Sequence, residues 1–164
     1  MKRIFLMLTM TLSIFEAWAT GGKPVPDNVL KSFSAKYPDV HVRKWNMKND
    51  TDIAVFRMSK TKQCAYYLPD GTWIKTETEI NHVSELPRAV QNSWHECAFQ
   101  TWYVEDVKRV EIPGDKLYVI QVIRKYIPGG FPGPENWNKQ GVSPEEYKLY
   151  FDVNGSLLRK VQMN

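Results

Sequence analysis

Two stretches of this chain are matched by two later stretches of the same chain, and that self-similarity narrows the possible folds more than any other feature. Val25-Pro26-x-x-Val29-x-x-Ser32-Phe33 is matched by Leu86-Pro87-x-x-Val90-x-x-Ser93-Trp94. Further on, Tyr66-Tyr67-Leu68-Pro69-Asp70-Gly71-Thr72-Trp73-Ile74-Lys75 is matched by Tyr150-Phe151-Asp152-Val153-Asn154-Gly155-Ser156-Leu157-Leu158-Arg159. Two copies amount to a duplication; a stacked solenoid takes about three or more repeats to bury a continuous core.

Each copy opens on a short amphipathic helix. Val29, Leu30, Phe33 and Tyr37 fall at helical spacing behind Pro26, and Pro38 stops the run. Behind Pro87, the stripe is Val90, Trp94, Cys97 and Ala98. Alternating segments follow, at 42–48, 52–60, 63–68 and 72–80, then at 102–112, 116–127, 146–153 and 156–162. Asp70-Gly71 and Asn154-Gly155 stand between such runs, where a hairpin turn needs residues that tolerate positive φ. The expected fold class is therefore α+β, as two tandem repeats. Each would be a short helix packed on a 3–4-stranded antiparallel sheet, over residues 20–82 and 83–164.

The second copy is longer, and its extra residues fall mainly at 127–143. Pro128, Gly129, Gly130, Pro132, Gly133 and Pro134 forbid a regular ladder there, so a long loop is expected. Phe131 and Trp137 within it favour a functional loop, because disordered segments are poor in aromatic residues.

Residues 1–19 have the pattern of a secretory signal: Lys2 and Arg3, an apolar run from Ile4 to Phe15, and Ala17-Trp18-Ala19 before an expected mature start at Thr20. The apolar run is well short of the roughly 20 residues that span a bilayer. Export to the periplasm or the exterior is expected, with no transmembrane segment once the signal is removed. A net charge of +4 with scattered Lys and Arg lacks the basic stripe that tracks a phosphate backbone, which argues against nucleic acid. Aromatic content is the unusual number. Six Trp, eight Tyr and seven Phe are more rings than a core of this size readily hides, so some should reach the surface.

The helix entry Val/Leu-Pro-x-x-Val, the helix-then-strands order and the closing strand–Asp/Asn-Gly–strand hairpin resemble the PepSY-like family, related in fold to the beta-lactamase-inhibitor proteins. Thr76-Glu77-Thr78-Glu79-Ile80 running into Glu85-Leu86-Pro87 resembles the exported duplicated proteins of Bacteroides-like bacteria. The resemblance covers nearly all of the chain after the signal. It implies a periplasmic or surface module that binds or inhibits, and it supplies no ligand-contact motif to carry over.

Chemistry finds little purchase. His41, His82 and His95 have no partners at triad or metal-ligand spacing, and no G-x-S-x-G, H-E-x-x-H or phosphate-binding loop is present. No catalytic residue, metal or cofactor is expected. Cys64 and Cys97 are the only cysteines, and an exported chain permits a disulfide between them worth roughly 3–4 kcal/mol. Against it, alternation points Cys64 outward, while Cys97 lies on the buried stripe of a helix behind the sheet. Two separate thiols therefore compete with the pair.

By the same alternation Tyr66, Trp73 and Tyr150 face away from the core, interleaved with charges as at protein interfaces. The expected function is a non-catalytic module engaging a protein or peptide through Tyr66, Trp73, Tyr150, Phe131 and Trp137. The alternatives are an envelope glycan or small-ligand binder and, with least support, a hydrolase.

Overall fold

The computed structural model describes residues 24–124 and 145–163. Helix α1 (Asp27–Lys36) precedes strands β1 (Val42–Lys48), β2 (Thr51–Met58), β3 (Thr61–Tyr67) and β4 (Trp73–Ile80). A 3-10 turn (Val83–Glu85) leads into α2 (Arg88–Glu96), followed by β5 (Tyr103–Ile112), β6 (Asp115–Arg124), β7 (Glu145–Phe151) and β8 (Leu157–Met163). The signal expected at 1–19 and the loop expected at 127–143, with Phe131 and Trp137, lie outside the described residues.

All eight strands form one antiparallel sheet in chain order, from β1 at one edge to β8 at the other. That corrects the expected fold class. Among the described residues there are not two 3–4-stranded sheets with a helix each, but a single sheet in a mainly β fold, with two α-helices on one side. The physical reason is the edge of β4. A separate first sheet would leave β4's outer N–H and C=O groups unpaired. Instead β5 takes them, in register from Thr76↔Glu111 to Ile80↔Val107.

Both helices bury against the same face. From α1 and its C-cap, Val29, Phe33 and Tyr37 pack on Ala54, Phe56, Ala65 and Tyr67 of β2 and β3. From α2, Val90 and Trp94 join Leu86 over Val107, Ile120, Val122, Leu149 and Phe151. The strand residues in both groups recur at every second position, as a pleated strand with one covered face requires. Phe33 makes the densest contact. Its ring meets those of Tyr37, Trp45, Phe56 and Tyr67 at centroid separations of 5.1, 5.7, 5.2 and 6.4 Å.

Alternation is broken at two places that matter. Tyr67 pairs with Trp73 while Tyr66 pairs with Lys75, so β4 carries one extra residue there. Phe151 pairs with Leu157 while Tyr150 pairs with Arg159, which inserts one extra residue in β8. Such bulges turn the residues before them to the other face of the sheet.

Candidate functional site

The face that carries no helix among the described residues is the candidate site. Cross-strand partners share a face, so the registers place Tyr66 of β3 beside Lys75 of β4 on this open side. They place Val110 of β5 beside Leu117 of β6, and Val119 of β6 beside Tyr150 of β7. A depression of about 360 Å³ sits over β4–β8. Its floor is aliphatic, made by Val110, Ile112, Leu117 and Val119. Val110 and Val119 are only 9% and 8% exposed although neither α1 nor α2 covers them. Lysine, tyrosine and arginine side chains of the neighbouring strands shield them instead.

Two tyrosine–cation pairs mark the face. The Lys75 ammonium lies 4.3 Å from the centre of the Tyr66 ring. The Arg159 guanidinium lies 4.0 Å from that of Tyr150. Contacts of this kind fix ring and cation together and contribute about 0.5–2 kcal/mol each.

Between them runs a chain of ion pairs. Glu77 accepts from Lys75 at 2.5 Å and lies 3.6 Å from Lys108, which reaches Asp106 at 2.7 Å. Burial works against a charge on Glu77. The hydrogen bond and charge of Lys75, the charge of Lys108 and the Tyr66 hydroxyl outweigh it and hold the carboxyl below its ordinary range. The Tyr66 hydroxyl is correspondingly pushed up, chiefly by burial and then by the Glu77 charge. Lys108 is held above its ordinary value: burial lowers it, and Asp106 and Glu77 raise it by more.

A lowered carboxyl pKa in the folded state means that the unfolded chain takes up the proton more readily. The stabilisation from Glu77 is thus complete above the ordinary carboxylate range and is lost as pH falls through the depressed value. In urea melts across pH, Glu77→Gln should be less stable than wild type near neutrality, and the two should converge in acid. Parallel curves at every pH would show that the ion pairs contribute nothing.

The residues expected to bind divide sharply. Tyr66 and Tyr150 are on the open face. Trp73 is not: the bulge turns it to the helix side, where it packs with the α1 core. There the Lys36 ammonium sits 3.6 Å from its ring centre. Its indole N–H donates to the Thr76 hydroxyl at 3.0 Å, and that hydroxyl is 2.5 Å from the Tyr37 hydroxyl. Cys64, between Lys62 and Tyr66, is half-buried on the open side of β3, and burial pushes its thiol up. Cys97, at the end of α2, packs against the core on the other side. Both thiols are free. Of the two arrangements left open by the sequence, this is the one with separate thiols, and the sheet lies between them.

Alternation in β4 did reveal Lys75, Glu77 and Glu79 as one outward row. It did not reveal Asp106, Lys108, Val110, Leu117 and Val119 as their neighbours, because that depends on the β4·β5 pairing. Among the described residues, no three His, Cys, Asp or Glu side chains gather into a group that could hold a metal ion. Nor is any helix there long and apolar enough to cross a membrane.

A DUF2874 family protein from Bacteroides ovatus superposes with a TM-score of 0.70 at 24% identity, over 86% of this chain and 89% of that one. A BLIP-like protein from Bacteroides fragilis gives 0.69 at 24% identity, over 88% and 90%. The chain shares their fold. A Bacteroides eggerthii protein assigned provisionally to the periplasm gives 0.67 at 25%, over 85% and 90%. No protein-family model matches the chain, and no curated protein matches its sequence. The inhibitor-like part of the expected resemblance thus holds at the level of fold, while the PepSY-like label rests on the sequence motifs alone.

Proposed function

We propose that this chain is a non-enzymatic binding module that engages a protein or peptide through the open face of its sheet. The observation that carries the reading is the aliphatic depression flanked by Tyr66–Lys75 and Tyr150–Arg159. An apolar centre with aromatic and cationic residues at its border has the make-up of a protein interface, where Tyr and Arg supply much of the energy. The BLIP-like neighbour supports the same reading. Sugar recognition would call for flat rings on the floor. Here the floor is aliphatic, and both tyrosine rings already carry a cation against them.

With residues 1–19 as a secretory signal and a fold neighbour provisionally placed in the periplasm, the module would act outside the cytoplasm. Phe131 and Trp137 remain part of the proposed binding set on sequence grounds. Trp73 does not serve as an open-face contact.

A photo-reactive residue in place of Leu117, in cells that make the protein, should yield a discrete cross-linked partner. The same residue at Ala98, exposed on the helix side, should yield none. Tyr66→Ala with Tyr150→Ala should weaken capture about tenfold or more, the usual consequence of losing two interface tyrosines. Equal adducts from both positions, or capture untouched by the double change in a protein with unaltered melting, would remove the open face from consideration.

A further inference from the structure

The depression is electrically lopsided. Along β4 and β5 its charges cancel, because Lys75 and Lys108 are matched by Glu77 and Asp106. Along β7 and β8 its lining holds Lys148 and Arg159 and no acid. Neither cation has an ion pair among the described residues. The acids that line the depression, Glu77 and Asp106, are paired with Lys75 and Lys108, and outside it Glu105 and Glu146 both accept from the Gln121 amide at 2.5 Å.

Register brings the two cations together. Lys148 pairs with Val161 and Tyr150 with Arg159, so Lys148 and Arg159 are diagonal neighbours on one face, a separation of roughly 7–8 Å. A single carboxylate placed between them can hydrogen-bond to both. Beside them, Val119 and Leu117 offer apolar contact. Arg159 is already held against the Tyr150 ring, which reduces the freedom it would lose on binding an acid.

Building on the open-face reading, we propose that the partner presents an acidic residue next to an aliphatic or aromatic one. The carboxylate bridges Lys148 and Arg159, and the apolar side chain sits on the Val110–Leu117–Val119 floor. Charge complementarity selects this occupant. A cationic segment would meet two uncompensated positive charges, and a wholly apolar one would leave both without a counter-charge on contact.

The test uses random linear peptides displayed on phage and selected on the full chain. Enriched peptides should share Asp or Glu adjacent to Leu, Ile, Met or Phe. Their affinity should fall about tenfold or more in Lys148→Ala with Arg159→Ala, the loss expected for charge-assisted hydrogen bonds. Lys148→Glu with Arg159→Glu should reject these peptides and accept versions with Lys in place of the acid. Peptides that lose binding in Leu117→Asp or Tyr150→Ala, yet carry no acid or ignore Lys148 and Arg159, would overturn the charge proposal and leave the open-face reading standing. Peptides indifferent to all four positions, or no enrichment, would overturn both. Unchanged melting of each variant confirms that the fold is not what was lost.

Discussion

Alanine at Gly155 is expected to lower the free energy of unfolding by about 2–5 kcal/mol, a loss large enough to leave much of the protein unfolded at moderate temperature. Two effects add. Gly155 has φ +87°, in the left-handed region, where a side chain costs about 1–2 kcal/mol. A Cβ there would also lie 2.5 Å from the Ala89 carbonyl oxygen and 2.8 Å from Ser93 Oγ, both on α2. Backbone cannot move aside as a flexible side-chain tip can, so α2 must shift off the sheet or the β7–β8 turn must open.

Gly71 is placed in the same way under α1, at φ +89° with Asn28 O 2.7 Å from the Cβ position. Gly71→Ala should cost a similar amount. Gly114, at φ +80° with nothing within 4 Å, separates the two effects: Gly114→Ala should show the conformational part alone. Urea melts of the three variants provide the measurement. Equal losses at all three would mean that the close approach of helix and turn contributes nothing.

Phe33→Ala is expected to cost about 3–5 kcal/mol, the range for deleting a buried aromatic ring. Phe33 is 4% exposed, and the four rings around it belong to the C-cap residue of α1 and to β1, β2 and β3. Removing it leaves a void bounded by rings fixed on several elements, which limits how far the site can collapse. Leu30, on the same helix but 40% exposed, is the control and should cost under about 1 kcal/mol on changing to Ala. A small loss at Phe33, comparable to that at Leu30, would mean that α1 does not hold the sheet in the manner described.

These predictions rest on features of unequal visibility in the sequence. The helix starts behind Pro26 and Pro87 were visible because proline pre-sets the first turn, and the apolar stripes were visible because a helix buries one side. Asp70-Gly71 and Asn154-Gly155 announced their turns through the demand for positive φ, although nothing local showed that each glycine also lies beneath a helix. Tyr66 and Tyr150 were placed correctly because alternation holds up to each bulge. Trp73 lies on the other face because of the bulge before Lys75, where its ring packs with α1, a contact that alternation along β4 does not show.

The sequence by itself determined the elements, their order and most of the residues each turns inward, Trp73, Leu30 and Ala98 excepted, since these follow from periods of 3.6 and 2 and from backbone preferences of proline and glycine. Only the tertiary structure decided that β4 joins β5. That pairing satisfies backbone groups, which every strand presents alike, so no side-chain pattern encodes it. From it come the single sheet, the helix-free face and the meeting of Glu77 with Lys108. Lys148 and Arg159 likewise become neighbours only through the β7·β8 register, which the bulge between Leu157 and Arg159 shifts by one residue. The candidate site is thus a product of strand pairing, and its chemistry became legible only when residues far apart in the chain were brought onto one face.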